Sequence, residues 1–264
     1  MENPLHHFEL HRIVPIEVFG IDLSINQAVI MMWLAVVAVS LLFILGGRKR
    51  QLVPSKLQNL VEMAVVFLRQ TVVDAMGPQG AAFLPLLVTL FFFILFSNLL
   101  GLIPGAYTAT SQVMVTGVFA LMVYVLSLIV GVWYHGPSYV KIFAPAGVPW
   151  WLLPIMVPIE LVSQMARPVT LAVRLFANMT GGHTVILVFF GLMFASASSI
   201  GDLAANFIVS FVPALKILGL SLTSAALFLT TVLLFVLEFF IAFIQAYVFV
   251  LLTSIYVGEA IHLH

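Results

Sequence analysis

Apolar residues run along this chain in long blocks, and polar interruptions set their ends. The first block is Ile25–Leu45, cut off at Gly46-Gly47-Arg48-Lys49-Arg50. Residues 54–76 differ: Leu57, Leu60, Val61, Ala64, Val65 and Leu68 recur at helical spacing, while Lys56, Glu62, Arg69 and Asp74 fall mostly between them. That spacing predicts an amphipathic helix lying on a membrane rather than through it. Ala81–Ile103, with Phe91-Phe92-Phe93 inside it, stops at Pro104-Gly105, and Val113–Trp133 stops at His135-Gly136-Pro137. Two longer segments follow, separated by Gly201-Asp202. The blocks predict one integral membrane domain over 1–264. Membrane helices fall at 25–46, 81–104, 113–134, 149–196 and 204–262. A cytoplasmic-surface helix covers 54–76, and a polar segment, 1–24, lies outside.

The last two segments, as continuous helices, would measure on the order of 70 and 90 Å, against a hydrocarbon layer about 30 Å thick. Each must break or tilt. Pro154, Pro158 and Pro168 are candidate kinks in the first, and Pro213 at the start of the second. No tandem repeat and no inverted pair of broken helices, a frequent transporter feature, is evident.

Composition narrows the class. Of 264 residues 63% are hydrophobic and 8% charged, with mean hydropathy +1.21. A soluble domain carries about 25% charged residues. A soluble fold, a disordered chain and a nucleic-acid binder are thereby excluded. The runs do not alternate as barrel strands do, so the fold class is all-α, a polytopic membrane protein of about six helices. There is no Cys, which removes disulfides and thiolate metal sites. Residues 47–76 hold five basic residues and two acids, whereas the first 24 hold one Arg and four acids. The positive-inside bias puts the N-terminus outside and the C-terminus in the cytoplasm.

Charges inside apolar helix cost about 2.5–3.5 kcal/mol each at the bilayer centre. Glu160, Arg167 and Arg174 are spaced by seven and share a helix face, with Gln164, Thr170 and Asn178 close by. Such a stripe faces a partner or a wet cavity. Arg174 fits either a structural ion pair or a functional charge. Arg167, just before Pro168, also fits a snorkelling role at the cytoplasmic interface. His183, after Gly181-Gly182, points roughly opposite to Arg174. It reads as hydrogen-bonded packing or as a proton relay. The glycines allow close helix approach. Glu238 sits between Val236-Leu237 and Phe239-Phe240, with Thr231 and Gln245 seven residues to either side. A lone carboxyl there stays neutral; paired with Arg174 or His183 it ionises, as a structural pair or as a station on a proton path. Ser97 and Asn98 fit helix–helix hydrogen bonding. His6, His7 and His11 lack the acids or Cys that would complete a metal site, and no phosphate loop or zinc-protease motif is present.

These motifs carry a resemblance. Arg174-Leu175-Phe176-Ala177-Asn178-Met179 with Gly181-Gly182-His183 resembles the signature of the subunit a family of F-type ATP synthases. Ser97-Asn98-Leu99-Leu100-Gly101-Leu102-Ile103-Pro104-Gly105 is similar to that family's earlier helix motif. Glu238 with Gln245-Ala246-Tyr247-Val248-Phe249 is similar to its last helix. Gly101 stands where some members carry an Asp, and some reverse the positions of the acid and imidazole of His183 and Glu238.

The resemblance implies a membrane stator whose two long tilted helices pack on a rotor ring of c subunits. Protons would enter one aqueous half-channel, ride a rotor carboxyl and leave by another. Arg174 matches the essential arginine between the two. Asn178, His183, Glu238 and Gln245 match outer half-channel positions. Glu160, Arg167 and Thr170 match cytoplasmic ones. The implied partners are the c-ring, the b subunits of the peripheral stalk, the rest of the F0F1 complex and the lipid bilayer. There is no cofactor, metal or independent turnover, and nucleotide chemistry belongs to other subunits. The implied setting is a bacterial inner membrane. Two other readings remain distinguishable. A stand-alone secondary transporter would show solute-dependent flux from the isolated chain. A structural scaffold would keep its coupling without Arg174.

Overall fold

A computed structural model describes residues 12–14, 17–18, 21–22, 24–47, 55–103, 107–143, 151–205 and 212–262. The histidines at 6, 7 and 11, the basic run 48–50, the Pro104-Gly105 stop and Pro149 lie outside these. The chain forms six α-helices among the described residues: α1 (Gln27–Gly47), α2 (Lys56–Met76), α3 (Leu84–Gly101), α4 (Val113–His135), α5 (Leu153–Ala205) and α6 (Val212–Ile261). All but α2 carry a stretch long and apolar enough to cross a membrane. The protein is a multi-pass, all-α membrane protein.

The N-terminal segment, for which the sequence pattern gives no element, contains short strands. β1 (Arg12–Val14) pairs antiparallel with β4 (Ile25–Asn26), and β2 (Glu17–Val18) with β3 (Ile21–Asp22). This nested hairpin leads into α1.

Local chemistry sets the helix ends. Ser55 caps α2, its hydroxyl accepting from the Gln58 N–H at 3.4 Å. Gly77 (φ 73°) ends α2 and Gly136 (φ 57°) ends α4, conformations that favour glycine. Pro85 sits in the first turn of α3, where no intrahelical N–H is needed. Gly201 and Asp202, read from the sequence as a separator, lie inside α5. A single glycine costs a helix only about 1 kcal/mol, too little to stop one this long. The long helices also do not break: Pro158 and Pro168 lie within α5. At 1.5 Å per residue their apolar stretches, Leu153–Ala195 and Leu222–Ile261, exceed the hydrocarbon thickness about twofold. The alternative that remains is steep tilt.

The core centres on α3. Leu87, Val88, Leu90, Phe91, Phe92 and Ile94 are buried where α3 packs on α1, α2 and α6. Phe92 meets Phe43 edge-on at 5.1 Å and Phe91 meets Phe243 at 5.7 Å. Helix α1 buries only a narrow strip, Ala28, Ala35, Val39 and Gly46, and turns Trp33 and Ile44 outward. Helix α2 buries Val61, Leu68, Val72 and Met76, while Leu57 and Leu60, assigned to its apolar face from spacing, are exposed. The contact that orients α2 is with α6, whose Gly258 lies so close that a Cβ there would stand 2.7 Å from the Ala75 carbonyl oxygen.

Two histidines lock the same end of the bundle. His135, ending α4, bonds the Ile261 carbonyl through Nε2 at 2.9 Å, and His262 bonds the Met76 carbonyl at 3.3 Å. Both carbonyls are in last turns that lack an intrahelical partner. Replacing Gly258 with Val will overpack the α2–α6 contact, at about 1–3 kcal/mol. The expected result is a lower melting midpoint of the solubilised protein. Gly117→Ala, at a site inside α4 with nothing within 4 Å of the added methyl, is the control expected to melt no lower than wild type.

Candidate functional site

Helices α5 and α6 run antiparallel, and their polar side chains meet in rungs. Arg167 pairs with Glu259, Asn178 with Gln245 and His183 with Glu238, so partner numbers fall on α6 as they rise on α5.

The rungs divide into two groups. In one, the Asn178 amide donates to Gln245 Oε1 at 2.6 Å. One helical turn further, His183 Nδ1 stands 3.8 Å from Glu238 Oε1, longer than a direct hydrogen bond. Glu238 and Gln245 are buried, and neither Glu238 oxygen has a hydrogen-bond partner among the described residues. Gly182 makes room for the carboxyl: a Cβ there would lie 2.6 Å from Oε1. Gly181 faces open space, so only one of the paired glycines serves close approach.

The turn before α4 closes this group from the side. Thr108 Oγ1 lies 2.7 Å from His183 Nε2. Thr110 donates to Asn98 Oδ1 at 2.8 Å, and Asn98 Nδ2 donates to the Ala242 carbonyl at 3.4 Å. Gln112 donates to the Tyr107 hydroxyl, and burial holds that phenol above its ordinary range and therefore neutral. Asn98 thus ties α3 to both the turn and α6, the helix–helix role expected of it. The Ser97 hydroxyl is buried without a partner among the described residues.

At the other end, Arg167 donates to the Glu259 carboxylate and stacks over Tyr256, 5.3 Å from its ring centroid. Gln164 is buried and donates to Glu160 at 3.1 Å. Tyr124, Ser127, Tyr139, Gln164, Arg167 and Glu259 line a narrow cleft here. Thr170 is exposed and only bonds the Arg167 carbonyl of its own helix.

Between the groups the interface is dry. Leu171 and Leu175 of α5 and Phe249 and Val250 of α6 are at most 1% exposed. The neighbouring Thr253 and Ser254 hydroxyls turn back onto carbonyls of α6. Arg174 lies at this level, at the midpoint of the Leu153–Ala195 stretch, but outside the buried strip formed by Leu171, Leu175 and Met179. It is exposed, and among the described residues none forms a hydrogen bond or ion pair with it. Its surface neighbours are Val173 and, one turn away, Thr170, Ala177 and Asn178, all exposed.

The seven-residue stripe therefore meets different surroundings along its length. Each step of seven falls only about 20° short of two full turns, so Arg167 and Arg174 lie on nearly the same side of α5, yet Arg167 reaches Glu259 of α6 while Arg174 is exposed. Of the two partners that the sequence left open for Glu238, the one that faces it is His183, not Arg174. Glu259 and Thr108 were not read as site residues. Glu259 looks like a terminal surface acid, and Thr108 like a loop hydroxyl. The turn signal around Pro104-Gly105 was the only hint that the chain doubles back there.

Comparison with known proteins agrees with these motifs. The sequence model of the ATP synthase A chain family matches residues 29–258. Similar proteins include the ATP synthase subunit a of Magnetococcus marinus, 45% identical over 99% of this chain and 94% of the relative. That of Acidiphilium cryptum is 44% identical over 93% and 92%. That of Pelagibacter ubique is 39% identical over 99% and 98%.

The rung register is testable because the chain has no cysteine of its own. A short bis-maleimide should join Asn178→Cys to Gln245→Cys within one chain. It should fail with Asn178→Cys and Glu259→Cys, because position 259 lies about 21 Å along α6 from position 245. A gel shift on unfolding reads the difference.

Proposed function

The chain belongs to the ATP synthase A chain family, and from that premise we propose that it is the proton-conducting stator of a rotary ATP synthase. The group around Asn178, His183, Glu238 and Gln245 lines the outer half-channel. The group around Glu160, Gln164, Arg167 and Glu259 lines the cytoplasmic one. The N-terminus is outside and the C-terminus cytoplasmic, in a bacterial inner membrane, consistent with five basic residues in 47–76 against one in 1–24. The face bearing Arg174 packs on the c-ring, the b subunits dock elsewhere, and nucleotide chemistry belongs to the remainder of the F0F1 complex.

One observation carries this reading: Arg174 is exposed and unpaired among the described residues, at the level of the dry band between two polar groups. A structural ion pair would give it an acid within reach. A guanidinium stays protonated under all working conditions. Facing a rotor carboxyl, it favours the ionised form, so the carboxyl arrives protonated, releases its proton near Arg174 and reloads beyond it. The dry band of Leu171, Leu175, Phe249 and Val250 keeps the two wet paths from joining through the subunit. The fixed positive charge opposes a direct leak along the rotor face. Each proton that crosses releases about 2.3 kcal/mol per 100 mV. Because the two groups are offset across the membrane, that energy is released only when the rotor turns.

Arg174→Ala and Arg174→Lys complexes that still assemble are expected to lose ATP-driven proton pumping in inverted membrane vesicles, down to background. The Ala variant should also leak passively. A Lys keeps a charge but lacks the planar fork of donors and deprotonates readily when buried. Normal pumping by an assembled Arg174→Ala complex would overturn the mechanism.

A further inference from the structure

Thr108 lies in the turn between α3 and α4, outside every apolar stretch, yet only 4% exposed. Its Oγ1 stands 2.7 Å from His183 Nε2, while the far side of that ring, Nδ1, faces Glu238 Oε1 at 3.8 Å. The turn is held firmly. Ser111 donates to the Thr108 carbonyl from both its hydroxyl (2.7 Å) and its backbone N–H (3.2 Å). The adjacent Thr110 is bonded to Asn98. Gly101 packs flat against the Thr108 side chain: a Cβ there would come within 2.6 Å of its Cγ2. A loop hydroxyl fixed in this way does more than fill space.

We propose that Thr108 is a positioning residue for proton transfer between Glu238 and His183, its hydroxyl holding the imidazole with Nδ1 aimed at the carboxyl in every protonation state of the ring. The proposal rests on the outer half-channel reading above. Its chemistry follows from what each group can donate and accept. A hydroxyl has one proton and two lone pairs and rotates freely. With the ring neutral and protonated at Nε2, Thr108 accepts from Nε2–H, and the Nδ1 lone pair faces Glu238. The Glu238 O–H bond then breaks and an Nδ1–H bond forms, giving a carboxylate and an imidazolium whose Nε2–H still donates to Thr108. With the ring neutral and protonated at Nδ1, the Thr108 hydroxyl turns and donates to Nε2. The 3.8 Å gap closes by a small approach or through one bridging water. A donor-only or acceptor-only side chain at 108 would hold one of these states and repel the other.

The test uses the whole ATP synthase complex in inverted vesicles, with proton flux normalised to assembled complex. Thr108→Val, nearly the same shape without the hydroxyl, is expected to lower flux about tenfold, the scale of one hydrogen bond to a charged ring. If Val prevents assembly, Thr108→Ala removes the hydroxyl without adding volume and is read instead. Thr108→Ser should remain within about twofold of wild type. In a His183→Ala background, Thr108→Val should cause no further loss, since no ring remains to be held. Wild-type flux in Thr108→Val overturns the proposal. So does equal damage by Ser and Val, or an undiminished loss in the His183→Ala background. If His183→Ala itself conducts like wild type, the half-channel reading falls, and this proposal with it. If His183→Ala is impaired and Thr108→Val is not, only the role of Thr108 falls.

Discussion

Lipid offers no hydrogen bonds, so a polar group buried among these helices is costly unless it finds a partner within protein or in a wet cavity. That constraint fixes how α5 meets α6. The apolar faces of both helices would pack at many offsets, because one leucine in a membrane resembles another. The polar side chains would not. Asn178 has Gln245, His183 faces Glu238, and Arg167 has Glu259 only in one antiparallel register. A slip by one turn would strand six polar groups at once. The rest of the bundle follows: α3 reaches α6 through Asn98, and α2 and α4 hold its far end through His262 and His135.

The same contacts separate two chemical environments along one interface. Toward one end the partners are amide, imidazole and carboxyl, with the carboxyl oxygens unsatisfied among the described residues. Toward the other they are guanidinium, carboxylate and phenol. Between them four large apolar side chains exclude water. A path for protons needs polar groups that are incompletely satisfied, whereas a barrier needs none at all. Incompletely satisfied polar groups and a stretch without any both occur here within about six turns of helix, and the long α5–α6 pair is what gives them room.

Much of this was legible in the residues. Blocks of apolar sequence gave the six helices, because the bilayer demands about 20 residues per crossing and the chain has few charges to confuse the pattern. Arg174, His183 and Glu238 stood out because a polar group inside apolar helix is costly. Azimuth between helices was not legible. A spacing of seven places Arg167 and Arg174 on one side of α5, but whether that side meets α6, lipid or another subunit depends on how α5 is rolled, which other helices decide. Glu259 and Thr108 were hidden for a related reason. Each lies where polar residues are ordinary, near a helix end or in a turn, and gains its meaning from a neighbour about 75 or more residues away in sequence. The Leu57 and Leu60 positions of α2 show the limit from the other side: helical spacing identified an apolar stripe, but packing chose a strip rotated from it.

Arg174 also bears on how the subunit finds its place. A cation left exposed at the middle of a membrane helix is a debt carried by the lone chain, about 2.5–3.5 kcal/mol on insertion scales. Any neighbour that supplies a carboxylate there cancels it. At about 1.4 kcal/mol per decade, that relief alone strengthens association by roughly two orders of magnitude, before any shape complementarity is counted. The charge that sits idle in the solitary chain is thus also a thermodynamic recruiter, biasing the two-dimensional encounter of membrane subunits toward the one companion that can neutralise it.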